Sequence, residues 1–380
     1  MHPSRILILR VAVVVLALSP FALAVPGIVR RVAPPPPEPV SPDMPDPSVA
    51  FSDTGPVLGF AMVAHHISNL PLYLSTVDRI ADHGATALVI VTPVFQRHAD
   101  STRIRHLPRR CPTEAQLLAI LQRARERGLR TQLQPIVLIE DPGEKEWRGV
   151  IMPSDWGKWW ASYEAMIARF VEIADTADVD LLVIGSELNS TESHVTRWKG
   201  IIDRARASFD GQLGYSANWD RYDKVSFWPM LDVMSVSSYF ELCRDDHDAP
   251  HDELVGDWII ERDKLLAAAD KWKKPLMLSE LGYPTLSWAC AHPWNYVAED
   301  GQQADQAAQA RGYRAFFEAW SGTIADPTNR AIGFNCYHWD PYHHGEEDDT
   351  GYGIQGKPSY EITREGFAAI KRMATETGLP

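Results

Sequence analysis

Residues 180–188 read DLLVIGSEL and residues 274–284 read KPLMLSELGYP. Each stretch is a short apolar run that ends in Ser-Glu, and runs of this kind are typical of buried β-strands. A segment with helical periodicity follows each of them. Alternation of strand and helix predicts parallel strands joined by crossover helices.

The same alternation extends through the chain and gives eight runs in all. The other six are VLGFAMVAHH from Val57, ATALVIVTPVF from Ala85, TQLQPIVLI from Thr131, GQLGYSANW from Gly211, LDVMSVSSYF from Leu231 and RAIGFNCYHWD from Arg330. Eight such units over about 320 residues fit a closed barrel better than an open doubly wound sheet. A doubly wound sheet would also carry a phosphate loop after its first strand, and no such glycine motif follows the first run. The sequence therefore predicts an α/β fold, a single (β/α)8 TIM barrel.

Helix signals between the runs support this alternation independently. Thr113 and Gln116 form a capping-box pattern, and Gly128 is a stop signal. Asp155 precedes a Trp-rich amphipathic stretch that ends near Asp175. The segment between the fifth and sixth runs is short, so its helix is expected to be reduced to a turn or two. Further helices are predicted over residues 194–208, 257–272, 301–320 and 360–377.

The N-terminus carries an export signal of one of two kinds, and the sequence leaves both open. Residues 1–30 contain Arg5 and Arg10, an apolar run, a Ser-Pro break and Ala22-Leu23-Ala24, the order of a cleaved signal peptide. The apolar stretch continues to Val29, however, so residues 5–29 are also long enough for a membrane anchor. Residues 31–50 are a Pro-rich linker, and residues 51–380 form the barrel. We therefore expect an exported domain, secreted or periplasmic, or anchored to the outer face of the cytoplasmic membrane.

Composition limits the partners. Lys and Arg number 37 against 50 Asp and Glu, a formal charge of −13, so nucleic acid is not an expected partner. The chain has 13 Trp, 12 Tyr and 12 Phe, and most should fill the core. Exposed aromatic rings stack on the apolar faces of sugars, which points to a polysaccharide or oligosaccharide partner. We expect a monomer without a cofactor.

Four cysteines, at positions 111, 243, 290 and 336, allow a disulfide in an exported protein. Cys243 and Cys290 both follow predicted strands that are sequential neighbours, which favours a bridge between them. Free buried thiols are the alternative. Zinc is less favoured, because no C-x-x-C spacing occurs.

Two glutamates stand where barrel enzymes carry their reactive groups, at the carboxyl ends of strands. Glu187 ends the fourth run and Glu280 ends the seventh. Either one alone could be a surface charge. Together they are more specific, because strands four and seven face each other across the barrel mouth. Retaining glycosidases need two carboxyl groups about 5–5.5 Å apart, one to attack the anomeric carbon and one to protonate the leaving oxygen.

The motifs IGSELNS and LSELGYP, over a region from Val57 to Lys371, resemble glycoside hydrolase family 113 within clan A of the (β/α)8 glycoside hydrolases. The resemblance implies that Glu187 is the acid/base and Glu280 the nucleophile of a retaining enzyme. It also implies endo-acting hydrolysis of β-1,4-mannan. Most clan members have Asn before the acid/base, where it holds the sugar 2-hydroxyl. This chain has Ser186 there, and Asn218 is the candidate replacement.

The resemblance extends to two aromatic residues. Tyr239, at the end of the sixth run, matches the tyrosine that orients the nucleophile, and Trp339, at the end of the eighth, matches the platform beneath the sugar. Either could instead be ordinary packing. The remaining candidates for sugar contact lie in or beside the same loops. They are His65, Trp219, Phe240, Trp288, Trp294, Tyr337 and His338, with Gln96 and Arg97 weaker.

Two other functions remain open. A metal-dependent barrel hydrolase is suggested by His65-His66 and by the loop from His343 to Asp349. Adjacent histidines in a strand point to opposite faces, however, which disfavours a shared metal, and a lid or weak calcium site suits the acidic loop better. A barrel that binds polysaccharide at the cell surface without cleaving it is the second alternative. Retention of both glutamates, which pure binding does not need, disfavours that reading.

Overall fold

The computed structural model describes residues 55–65, 67–244, 246–342 and 345–377. The predicted signal or anchor over residues 1–30 and the linker over residues 31–50 lie outside this part of the chain. Within the described residues, no helix combines the length and apolar character needed to cross a membrane.

Eight parallel strands form a closed ring, and all eight predicted runs contribute one strand each. The strands are β1 Val57–Val63, β2 Ala87–Gln96, β3 Arg130–Ile139, β4 Leu181–Ser186, β5 Gln212–Asn218, β6 Val233–Ser237, β7 Leu276–Leu281 and β8 Ala331–Tyr337. Each pairs with the next, and β8 pairs with β1 to close the ring. A two-residue strand, Ile104–Arg105, pairs antiparallel with the end of β2. The predicted (β/α)8 barrel is confirmed.

Seven α-helices in the described residues surround the ring. They are α1 Leu70–Asp82, α2 Glu114–Glu126, α3 Trp156–Thr176, α4 Val195–Arg206, α5 His251–Trp272, α6 Gln306–Ala325 and α7 Pro358–Glu376. The predicted capping box starts α2: the Thr113 hydroxyl accepts from the Gln116 amide at 3.2 Å, and the Gln116 side chain accepts from the Thr113 amide at 2.9 Å. Between β5 and β6 lie only short 3-10 turns, as the length of that segment predicted.

Two helix starts differ from prediction, and α6 also ends later, at Ala325 rather than at Trp320. Helix α5 begins at His251, six residues before the predicted start at Asp257, because Pro250 precedes its first turn and Asp252 and Glu253 suit a helix N-terminus. Helix α6 begins after Asp305 rather than at Gly301, because the Asp305 carboxylate caps it by accepting from the Ala308 amide at 2.8 Å.

A paired polar layer crosses the barrel interior below the carboxyl ends of the strands. Gln132 on β3 and Asn335 on β8 exchange side-chain hydrogen bonds of 3.2 and 3.0 Å. The hydroxyls of Ser216 on β5 and Ser279 on β7 lie 2.7 Å apart. Buried polar groups are costly unless hydrogen-bonded, so this layer favours one relative placement of the four strands.

An aromatic cluster packs behind β4, the strand that leads to Glu187. It consists of Trp159, Trp160, Tyr163, Trp198, Tyr215 and Phe227. The cluster packs so closely on Gly185 that a Cβ there would lie 2.8 Å from Trp198 and 3.0 Å from Tyr163 and Tyr215. Glycine at position 185 therefore allows the helical layer to approach this strand.

The predicted bridge between Cys243 and Cys290 is absent, and all four cysteines are free thiols. The two residues are close, since the Leu242 amide donates to the Cys290 carbonyl at 2.9 Å. Their thiols have other partners, however. The Cys243 thiol contacts the Asp257 carboxylate, and the Cys290 thiol donates to the Ala308 carbonyl at 3.8 Å. In this structure each of the two sulfurs therefore has a partner other than the second sulfur.

Candidate active site

A cavity of about 870 Å³ opens at the carboxyl ends of the strands, and both glutamates singled out by the sequence line it. Glu187 follows β4 and Glu280 lies within β7. Both are nearly inaccessible, at 6% and 4% exposure. Two carboxylates removed from water at the floor of one cavity are costly, so their surroundings must stabilise them.

Glu280 is held by one hydrogen bond to each carboxylate oxygen. The Tyr239 hydroxyl donates to Oε2 and the Gln134 amide donates to Oε1, both at 2.9 Å. Tyr239 follows β6 and Gln134 points inward from β3, so three different strands fix this carboxylate. Two donors on an acceptor-only group favour its ionised form and a single orientation.

Glu187 is held just as firmly, by different groups. The Ser237 hydroxyl donates to its Oε1 and Arg148 donates to its Oε2, each at 2.5 Å. Its backbone is left-handed, with φ of 51°, and its amide donates to the Ser216 carbonyl at 2.8 Å. From this turn the side chain lines the cavity at the barrel mouth.

Ser237 shows that the two glutamates share one small region. It donates to Glu187 and is also the register partner of Glu280 across the β6–β7 ladder. The charge of Glu187 also acts on Glu280. The two glutamates therefore share a neighbour, Ser237, and line the same cavity, as the sequence predicted.

Arg148 supplies the positive charge of the site. Its side chain is 10% exposed and comes from a short 3-10 turn after β3. Burial alone would lower the pKa of Arg148, but the carboxylates of Glu187 and Glu280 outweigh burial and raise that pKa above its ordinary value. A guanidinium is charged at every relevant pH, so it offsets part of the cost of two buried carboxylates.

Glu280 nevertheless has a raised pKa. Burial raises the pKa of Glu280 to about 7, and the like charge of Glu187 contributes to the rise. Arg148, Tyr239 and Gln134 oppose it.

Several predicted sugar-contact residues line the cavity. They are His65, Asn218, Trp219, Tyr239, Trp294, Tyr337 and His338. Burial lowers the pKa of His65, which favours its neutral form in the cavity. Neutral imidazole both donates and accepts hydrogen bonds, as a ligand for sugar hydroxyls should.

Other predicted residues lie elsewhere, and Trp339 is the main correction. It is 1% exposed and packs between Phe60, His83 and Tyr360, because the chain leaves β8 after Tyr337 and turns into the core. The aromatic ring that reaches the cavity from this strand end is Tyr337.

The remaining corrections concern residues with structural partners. Trp288 donates to the Asn295 carbonyl at 2.8 Å, and Phe240 is buried against Trp219 and Trp258. Ser186 is buried beneath the cavity, with its hydroxyl 3.5 Å from the Gln134 amide. The two weaker candidates are also outside the cavity. Gln96 accepts from Trp159 at 2.7 Å, and Arg97 pairs with Asp141 at the surface.

Sequence reasoning missed the partners that hold the glutamates: Gln134, Arg148 and Ser237. It also missed Tyr296 and Tyr352, which line the cavity. Gln134 carried a usable signal, since it is a polar residue inside an apolar strand. Arg148 lies in a segment without periodicity, so its position could not be inferred.

The proposed metal ligands are only partly described. His66, His343 and His344 lie outside the described residues. Among the residues that are described, no three His, Cys, Asp or Glu side chains cluster as a metal ion would require. In the acidic loop, Asp349 pairs with Lys357 at 2.8 Å.

The fold and the site together define a class: (β/α)8 barrels with two buried glutamates at the ends of the fourth and seventh strands, above one cavity. Residues 73–357 match the model of Glycoside Hydrolase Family 113. The match spans most of the sequence, so this chain belongs to Glycoside Hydrolase Family 113 and is a glycoside hydrolase.

Solved structures with the same barrel include two family members. The GH113 β-mannanase of Alicyclobacillus acidocaldarius, in complex with ManMIm, is 24% identical, with a TM-score of 0.73 over 84% of this chain and 99% of its own. A second GH113 β-1,4-mannanase is 21% identical, with a TM-score of 0.72 over 83% and 99%. GH5_18 from Streptomyces cattleya, in complex with GlcNAc, is 13% identical, with a TM-score of 0.55 over 86% and 83%. Comparison with curated proteins gives no match.

Proposed function

We propose that this chain is a retaining β-glycosidase that cleaves β-1,4-mannan, with Glu280 as nucleophile and Glu187 as acid/base. One observation carries the proposal. Two buried carboxylates face one cavity, and each is fixed by its own set of donors. Glu280 has a neutral donor on each oxygen, which orients it and favours its ionised form. Glu187 lies between a cation and a hydroxyl.

In the first step, ionised Glu280 attacks the anomeric carbon and forms a glycosyl ester while the glycosidic C–O bond breaks. The proton of Glu187 passes to the leaving oxygen, so the leaving sugar departs as an alcohol. In the second step, Glu187 takes a proton from water, and the resulting hydroxide oxygen displaces Glu280 from the anomeric carbon. Both residues return to their starting states, and the product keeps the β-configuration.

Ser237 suits both protonation states of Glu187. Its single hydroxyl hydrogen has two possible acceptors, Glu187 Oε1 at 2.5 Å and the Ala217 carbonyl at 3.1 Å. When Glu187 is ionised, the hydroxyl donates to it. When Glu187 is protonated on Oε1, the hydroxyl accepts from it and turns its own hydrogen to Ala217. Arg148 is only a donor, so we place the catalytic proton on Oε1 rather than on the oxygen facing Arg148.

Two features support mannan as the substrate. The two solved family members named above are a β-mannanase and a β-1,4-mannanase, and their barrels superimpose on most of this chain. The cavity, at about 870 Å³, also has room for more than one sugar ring. Its wall carries aromatic side chains, among them Trp219, Trp294 and Tyr337. Flat aromatic faces stack on the apolar faces of β-linked hexoses.

We also propose that the enzyme acts outside the cytoplasm, on the strength of the apolar segment and Pro-rich linker at its N-terminus. Cell fractionation with N-terminal sequencing of the mature protein tests this. Recovery of the full-length chain from the cytoplasm would contradict it.

The nucleophile is tested with Glu280→Gln, measured on β-1,4-mannan, β-glucan and β-linked amino-sugar oligosaccharides. We expect turnover on mannan to fall at least about 10³-fold, because the amide cannot attack the anomeric carbon. Glu172→Gln, an exposed change on α3, is the control. Comparable mannan hydrolysis by wild type and Glu280→Gln would reject the assignment. NMR of the first product of the wild type should show the β-anomer, and an α-anomer would reject the retaining mechanism.

The acid/base is tested with Glu187→Gln on two substrates. An activated dinitrophenyl mannoside needs no protonation of its leaving group, whereas an oligosaccharide does. We expect kcat/KM to fall far more for the oligosaccharide than for the aryl glycoside. An equal loss on both would remove Glu187 from the acid role.

A further inference from the structure

A third buried glutamate stands five residues after Glu187 and has no part in the proposed chemistry. Glu192 is 3% exposed, and its two oxygens have separate partners. The Tyr215 hydroxyl donates to Oε1 at 3.1 Å, and Arg221 pairs with Oε2 at 3.5 Å. Burial raises the pKa of Glu192 to about 7, while Arg221 and Tyr215 oppose the rise. A buried carboxyl group of this kind lowers the stability of the fold, so we expect Glu192 to serve a function.

Tyr215 connects this glutamate to the backbone next to Glu187. Its hydroxyl accepts from the Leu188 amide at 3.0 Å while it donates to Glu192. The Tyr215 ring is fully buried and packs against Trp198, Phe227 and Trp228, so the hydroxyl cannot move far. Glu192 in turn orients the hydroxyl hydrogen, which leaves the oxygen lone pairs for Leu188.

Leu188, the residue after Glu187, is thus held at both of its backbone polar groups. The Leu188 amide is bound by Tyr215, and the Leu188 carbonyl accepts from the Thr191 hydroxyl at 2.7 Å and from the Thr191 amide at 2.8 Å. Glu187 itself is left-handed, a backbone state that non-glycine residues adopt only when their surroundings impose it.

We propose that Tyr215 and Glu192 are positioning residues that hold Glu187 in its proton-donating orientation. The proposal rests on the proposed role of Glu187. Arg221 lines the cavity, so the chain of contacts runs from the cavity wall through Glu192 and Tyr215 to the backbone of the acid/base. Loss of either residue lets the Glu187 turn relax and moves its carboxyl away from the leaving oxygen.

The test compares two substrates, a manno-oligosaccharide and a dinitrophenyl mannoside, by kcat/KM. For Tyr215→Phe we expect a loss of roughly ten- to a hundred-fold on the oligosaccharide, because a small misplacement of a catalytic group has effects of this size. On the aryl glycoside, which needs no acid, we expect a change of less than about threefold. A purely structural role would lower both values equally.

Tyr163→Phe is the matched control. Tyr163 lies in the same aromatic cluster and is as buried as Tyr215, but its hydroxyl donates to the Ile184 carbonyl at 2.6 Å and does not contact the Glu187 turn. Its removal should leave the ratio of the two kcat/KM values unchanged. A ratio altered equally by both changes would overturn the proposal.

A pair of Glu192 variants keeps the test decisive if Tyr215→Phe fails to fold. Glu192→Gln retains an oxygen that accepts from Tyr215, so the ratio should stay near that of the wild type. Glu192→Leu removes the acceptor at similar volume, so the ratio should move as in Tyr215→Phe. Equal ratios for the Gln and Leu variants would overturn the proposal.

The Glu187→Gln measurement separates this inference from the proposed function. If Glu187→Gln shows the substrate-dependent loss and Tyr215→Phe and Glu192→Leu do not, only the positioning role fails. If Glu187→Gln itself lowers both substrates equally, the acid/base assignment fails first, and the positioning proposal fails with it.

Discussion

Glu280 illustrates how a single residue is made reactive at a cost in stability. In an unfolded chain its carboxyl would titrate at an ordinary pKa near 4.5, whereas burial raises the pKa in the folded protein to about 7. Between these values the native state binds more protons than the unfolded state, so the free energy of unfolding falls as pH rises. The contribution is fully present below pH 4.5 and is lost as pH rises through about 7.

Glu280→Gln should therefore stabilise the protein at neutral pH. The amide carries no charge to bury, so we expect a gain on the order of 2–3 kcal/mol at pH 8, shrinking toward zero at pH 4. Thermal unfolding of both proteins across this range measures the effect. Glu172→Gln, at an exposed position, should show no comparable dependence on pH. A gain that was constant with pH would mean that packing rather than charge is responsible.

At the scale of single residues, the sequence predicted the two glutamates of the site better than it predicted the side chains around them. Glu187 and Glu280 could be found because each closes an apolar run at a strand end. Trp339 was misplaced because the resemblance put it at the end of the eighth strand, whereas β8 ends at Tyr337 and the ring of Trp339 packs in the core. Arg148 could not be found, because its turn after β3 is placed by tertiary contacts that leave no periodic trace.

At the scale of secondary-structure elements, the strands and helices were largely predictable, because apolar runs and capping residues indicate which local backbone conformation is favoured. What the sequence did not indicate is how closely neighbouring elements approach. Gly333 on β8 shows this at the seam that closes the barrel. Its φ is 144°, and a Cβ there would lie 1.9 Å from the Val57 carbonyl oxygen on β1.

Gly333→Ala should destabilise the protein by roughly 2–3 kcal/mol, because the left-handed backbone and the clash with β1 must both be accommodated. Gly256→Ala on α5 is the matched control: nothing lies within 4 Å of its Cβ position, so the same change should stabilise by about 0.5–1 kcal/mol. Chemical denaturation of the two variants gives both signs. Destabilisation by Gly256→Ala, or a neutral Gly333→Ala, would contradict this account of the seam.

At the scale of the whole molecule, the cavity wall is assembled from segments far apart in sequence, and Lys357 joins two of them. It stands immediately before α7 and its side chain is fully buried. The ammonium pairs with Asp349 at 2.8 Å and donates to the Thr285 hydroxyl at 3.1 Å, which links the loops after β7 and β8. Tyr352 lies between Asp349 and Lys357 in the loop after β8. Its side chain reaches the cavity, and its hydroxyl donates to the Pro293 carbonyl at 2.6 Å.

Lys357→Met should therefore affect stability and substrate binding together. Removing one partner of a buried ion pair leaves the other charge in place, so we expect a loss of about 3 kcal/mol in thermal or chemical unfolding. Because the loop carrying Tyr352 loosens, KM for oligosaccharides should rise while kcat changes less. Lys264→Met removes an exposed partner of Glu261 and should cost no more than about 0.5 kcal/mol, with KM unchanged. A destabilised Lys357→Met enzyme with the wild-type KM would show that the link supports the fold but not the cavity.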